Sequence, residues 1–70
     1  MKLSDVKKGR AVKIISIKSD LKKRLSSFGI IDNAKLKMEK NQGGVIVSLN
    51  GRLIALSKII ADNVEVEICE

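Results

Sequence analysis

The segment from Asp20 to Ile30 is the only clearly helical stretch in a chain that otherwise reads as sheet, and it limits what the sequence can fold into. Leu21, Leu25 and Phe28 recur at i, i+4 and i+7 and so share one face, with Lys22, Lys23, Ser26 and Ser27 to the sides and away from it. The pattern predicts one short helix. Its start is capped by Ser19 or Asp20, and Gly29 stops it, because a left-handed backbone just past a helix end costs glycine nothing. Helices below about 12 to 15 residues are marginal alone in water, so the apolar face must be laid on the strands like a lid. With Phe28 fully buried there, truncation to Ala would cost about 3–5 kcal/mol.

The strands are written in period two. Ala34 to Glu39 and Val64 to Ile68 alternate apolar with charged residues, the signature of half-buried strands, and the Lys side chains of the first would pair with the Glu side chains of the second if the two lie side by side. Between Arg10 and Lys18, Val12 and Ile14 fall in one phase and Ile15 and Ile17 in the other, which predicts a bend or bulge. Asn50-Gly51 is a strong signal for a two-residue hairpin between Val45–Leu49 and Arg52–Leu56, and Gly43-Gly44 supports another before it. Ser57 can cap a helical turn through Lys58–Ala61 that Asn63 ends. The expectation is a mainly β fold, a small SH3-like barrel of about five strands, with one short helix between the first two strands and a helical turn before the last. At 70 residues it reads as a single domain, 1–70.

Composition removes several function classes. Histidine is absent, Cys69 stands alone, and Asp5, Asp20, Asp32, Glu39 and Asp62 are scattered over turns and strand ends, so no catalytic dyad and no transition-metal ligand set can be assembled. The chain is not expected to be an enzyme or to carry a cofactor, and Cys69 could bind a soft metal only with a second chain. Gln42-Gly43-Gly44-Val45 lacks the Gly-Lys-Ser/Thr ending of a phosphate loop. The lone cysteine rules out an internal disulfide, and charges interrupt the apolar residues of the first nine positions, so the expectation is a cytosolic protein without a signal peptide or direct membrane insertion.

The net charge of +6 is uneven: Asp62, Glu65, Glu67 and Glu70 occupy the last nine residues, and without them the preceding part carries +10. Such a basic portion raises a nucleic-acid partner as the alternative function, a small RNA-associated SH3-like or OB-like barrel. Base stacking needs aromatic platforms, however, and Phe28 is the only aromatic residue, which makes nucleic acid an unlikely partner. The same lack of Trp and Tyr argues against polyproline binding.

Three fragments in order carry a resemblance. They are Leu3-x-x-Val6-x-x-Gly9; Arg24-Leu25-x-x-Phe28-Gly29-Ile30; and Gly51-Arg52-x-Ile54-Ala55-Leu56 leading to Ala61-x-x-Val64-x-Val66. The chain resembles the ferrous iron transport protein A family (FeoA), although many members have Pro-Gly where this sequence has Asp32-Asn33-Ala34. The resemblance implies a small cytosolic SH3-like accessory protein of bacterial ferrous iron uptake. Its implied partner is the cytosolic region of the membrane ferrous iron transporter, a FeoB-like protein with a GTPase domain. The same module occurs in metal-dependent repressors, but those need a helix-turn-helix region for which this chain has no room. On the residues themselves, the partner-binding surface is expected at Lys22, Lys23, Arg24 and Ser27 along the helix, with Arg52 beyond the Asn-Gly turn.

Overall fold

Two breaks in strand register shape the molecule, which the computed structural model describes from residue 1 to residue 69. Five antiparallel strands, β1 (Ala11–Ile17), β2 (Lys35–Asn41), β3 (Gly44–Leu49), β4 (Arg52–Ser57) and β5 (Val64–Ile68), form one sheet in the order β4-β3-β2-β1-β5. Helix α1 (Ser19–Ser26) joins β1 to β2, and the single turn α2 (Lys58–Ala61) joins β4 to β5. Along β2, Lys35–Lys37 pair with β1 and Lys37–Asn41 with β3, and the register shifts between Met38 and Lys40. The strand thus serves both halves of a small SH3-like barrel, and it is half-buried as its alternation predicts, with Leu36 and Met38 inside and Lys35 and Lys37 outside.

The second break lies in β1, between Ile14 and Ser16 opposite β5. The extra residue is Ile15, which turns out to solvent while Val12, Ile14 and Ile17 stay buried. The out-of-phase isoleucines thus mark a bulge, as expected, which buries Ile17 and leaves Ile15 outside. The core is aliphatic. Leu36 and Met38 of β2, Val45, Val47 and Leu49 of β3, Ile54 and Leu56 of β4 and Val64 and Val66 of β5 fill it with the β1 residues.

Both hairpins form where the glycines place them. Asn50 and Gly51 take φ of 52° and 81°, the pair of left-handed residues a two-residue turn requires, and Gly43 takes φ of 71°. Ser57 caps α2 as expected, its hydroxyl accepting from the Ile60 N–H at 3.2 Å. Asn63 closes that turn by donating from Nδ2 to the Ile59 carbonyl oxygen at 2.7 Å.

Three expectations are corrected. Helix α1 begins one residue earlier than read, so Lys18 is the N-cap and neither Ser19 nor Asp20 caps with its side chain. The lysines of β2 do not meet the glutamates of β5, because β1 lies between those strands; Glu67 instead faces Lys13 of β1 at 3.4 Å and Glu65 takes the N-terminal ammonium. Phe28 is not core. The regular helix ends at Ser26, two residues before Phe28, so the aromatic ring drops out of the apolar stripe and is 44% exposed.

Ile30 takes the vacated place. Gly29, at φ 85°, reverses the chain, so that the Ile30 N–H reaches the Leu25 carbonyl and the Gly29 N–H the Ser26 carbonyl, each at 3.0 Å. This doubly bonded reversal is the Schellman ending, and its characteristic apolar contact pairs Leu25 with Ile30, both fully buried. Leu21 is only partly buried against the core.

The first residues also pack in a way the sequence reading missed. A 3-10 turn, Leu3–Asp5, buries Leu3 and leads to buried Val6. Asn41 holds this segment, its Nδ2 donating to the carbonyl oxygens of Ser4 at 2.9 Å and Val6 at 2.8 Å. The Ser4 hydroxyl donates to the Asp62 carboxylate.

Candidate functional site

Helix α1 presents its basic residues from three directions. Positions four apart stack on a helix, so Lys22 lies beside Ser26 and Lys23 beside Ser27, with Arg24 on a further side of the helix, all exposed around buried Leu25. The hydroxyls of Ser26 and Ser27 turn back onto the helix, donating to the carbonyl oxygens of Lys23 at 2.8 Å and Arg24 at 2.6 Å. Ser27 is thereby engaged in finishing the helix.

On one flank, Lys22 and Ser26 border a groove of about 320 Å³ whose apolar lining is Ile17, Ile30 and Ile31, with Asp32 on the far rim. Lys22 Nζ stands 4.0 Å from Asp32 Oδ2, both side chains about half exposed, an ion pair that water screens strongly. The groove exists because Asn33, at φ 72°, turns the chain back toward β1, where its N–H donates to the Ile14 carbonyl oxygen at 2.8 Å. The Asp32-Asn33 pair thus makes this turn without proline or glycine.

On the other flank Arg52, far away in sequence, joins the helix residues. Its Nη2 donates to the Phe28 carbonyl oxygen at 2.9 Å. The approach is close enough that a Cβ at Gly29 would sit 3.1 Å from that nitrogen and 3.2 Å from Leu49 Cδ2. All five expected residues are exposed, and Arg52 is tied to the other four through the helix terminus.

The sequence reading missed the apolar members of this end. Phe28 and Ile31 are exposed beside the cations, and Leu53, next to Arg52 on β4, is 70% exposed. Phe28 was hidden by its own helical spacing. Leu53 was hidden because Leu53, Ile54 and Leu56 are all apolar, and only the register from the Asn-Gly turn says that Ile54 and Leu56 point inward.

Among the described residues no three His, Cys, Asp or Glu side chains come together as a metal site, and no helix is long and apolar enough to cross a membrane.

Comparison with known proteins bears on the whole chain. The family model for the FeoA domain matches residues 1–68, whereas no curated protein matches significantly. The solution structure of the FeoA protein from Chlorobium tepidum superposes with a TM-score of 0.86 at 28% identity, covering 100% of this chain and 71% of that one. A crystal structure described as an iron uptake regulatory protein (FeoA) gives 0.86 at 25%, over 94% of this chain and 92% of the other. The fold alone extends to IdeR of T. acidophilum, at 0.89 and 22% identity, where it covers 99% of this chain and 34% of that one. A match that runs from the Leu3 turn to the last strand, on a barrel of the same shape, places this chain in the FeoA family.

Proposed function

We propose that the protein is a cytosolic accessory adapter of ferrous iron uptake, docking on the cytosolic region of a membrane ferrous iron transporter that carries a GTPase domain. Family membership supports the iron-uptake setting. The observation that carries the docking reading is the state of the α1 flank: Lys23, Arg24 and Phe28 project from the barrel, exposed, around a helix held in place by buried Leu25 and Ile30. Cations around an exposed apolar ring suit a partner with an acidic patch and an apolar centre, since charge speeds encounter and buried apolar area slows release. The protein would contribute surface, not chemistry.

Capture of the transporter's cytosolic region tests this. A chain carrying Lys22→Glu, Lys23→Glu and Arg24→Glu keeps the circular dichroism spectrum of the parent and loses capture at least about tenfold, the scale expected when several steering charges are reversed. Unchanged capture removes α1 as the docking face.

One observation favours a second reading. Phe28 is exposed, and its carbonyl oxygen accepts from Arg52, so a base could stack on the ring near a cation, and one such contact is worth about 1–3 kcal/mol. A single ring gives no sequence register. Titration with single-stranded RNA at physiological salt separates the readings: sub-micromolar, sequence-dependent binding belongs to the nucleic-acid module and not to the adapter.

A further inference from the structure

The two edges of the sheet are treated differently. Beside β5, the Val66 N–H donates to the Met1 carbonyl oxygen at 2.8 Å, the Met1 ammonium donates to the Val66 carbonyl oxygen at 3.1 Å, and Lys2 bridges to Glu65. That edge is covered by the chain's own first residues.

The β4 edge has no such cover. The two-residue turn makes Leu49 and Arg52 a hydrogen-bonded pair, and alternation makes Val47 with Ile54 and Val45 with Leu56 the next two. Leu53 and Ala55, opposite Ser48 and Ile46, therefore aim their N–H and C=O groups away from β3, and among the described residues no backbone group bonds them there. Nor is the middle of the strand blunted. It runs in unbroken register with β3, contains no proline, and exposes the side chains of Leu53 and Ala55.

Charge identifies the occupant. Arg52 stands at one end of β4 and Lys58 just past the other, both exposed, and the sequence from 40 to 61 contains no Asp or Glu. A second copy paired antiparallel about Ala55 would bring Arg52 of each copy toward Lys58, the first residue of α2, of the other, so self-association is opposed by like charges at both ends. A strand carrying carboxylates at those ends removes the conflict.

We propose that the outer edge of β4 is a docking site for an extended acidic segment of another protein, which adds to the sheet as a sixth strand. Main-chain hydrogen bonds to Leu53 and Ala55 hold it, and carboxylates opposite Arg52 and Lys58 select it. The proposal concerns the chemistry of the bound segment and stands apart from which protein carries it.

The probe is a short, alternating Glu-Val peptide titrated into the ¹⁵N-labelled full chain at physiological salt. The expected result is amide shifts confined to 52–58, with hydrogen exchange at the Leu53 and Ala55 amides fast in the free chain and slowed at least about tenfold on saturation. The same peptide N-methylated on its backbone, and a Lys-Val counterpart, bind at least tenfold more weakly, and Lys58→Glu weakens the Glu-Val peptide about threefold, as for one exposed ion pair. The proposal is overturned by no shift at millimolar peptide, by shifts centred elsewhere, by equal binding of the N-methylated peptide, or by protected Leu53 and Ala55 amides in the dilute free chain. Sedimentation showing a dimer that Leu53→Lys dissociates would give the edge to a second copy and equally overturn it.

Discussion

Arg52 donates through Nη2 to the Phe28 carbonyl oxygen, at 2.9 Å, and so fastens the turn between β3 and β4 to the end of α1. The acceptor is one of the carbonyls that a helix terminus leaves without an intrahelical partner, and a cation is favoured there by the helix dipole. Replacing Arg52 with Ala should lower stability by about 0.5–1 kcal/mol, a few degrees in melting temperature, because the bond is exposed and only partly lost to water. Lysine should fail to restore it, since an ammonium lacks the guanidinium's planar fork and is more strongly hydrated. Thermal melts of Arg52→Ala and Arg52→Lys check this.

Gly29 should tolerate a side chain less well than Gly9. Both have positive φ, 85° and 90°, but a Cβ at Gly9 meets nothing within 4 Å while one at Gly29 crowds Arg52 and Leu49. Gly9→Ala is expected to cost about 1–2 kcal/mol for the backbone alone, and Gly29→Ala more, with a weakened Arg52 contact as well. Urea unfolding of the two variants compares them.

Leu25, Ile30 and Phe28 separate core from surface within one turn of chain. Leu25→Ala and Ile30→Ala should each cost about 2–5 kcal/mol, enough to unfold a domain of this size, whereas Phe28→Ala should cost under about 1 kcal/mol and act on partner capture instead. A Phe28→Ala chain that fails to fold would put the ring back in the core.

Asn41 offers a test of polarity. Its amide nitrogen faces two carbonyl oxygens, those of Ser4 and Val6, so only a donor fits there. Asn41→Ala should cost about 1–3 kcal/mol, and Asn41→Asp more, because a carboxylate of the same shape would confront both acceptors. Amide exchange should rise first in the Leu3–Asp5 turn.

What the sequence disclosed was whatever local backbone chemistry decides. Asn50-Gly51, Gly29 and Ser57 each act through residues within four positions, and each does what its side chain or lack of one requires. The period-two runs reveal β2 and β5 as strands but carry no signal for which strand lies between them, so the Lys-Glu pairing was misplaced. Lys18 as N-cap is likewise decided at a distance, by its N–H donating to the Asn63 carbonyl oxygen at 3.1 Å. Of the site, Lys22, Lys23 and Arg24 were legible as surface because nothing buries such charges unpaired. Phe28 was not, because ending the helix two residues earlier changes the face it takes, and helix boundaries are where periodicity says least.

The lone ring has a spectroscopic consequence. With no Trp or Tyr in the chain, Phe28 supplies every aromatic proton signal this protein gives, and it supplies them from the surface. A partner that settles over the helix end will shift those lines, and once the amide protons have been exchanged for deuterium they are all that this chain contributes to that spectral window.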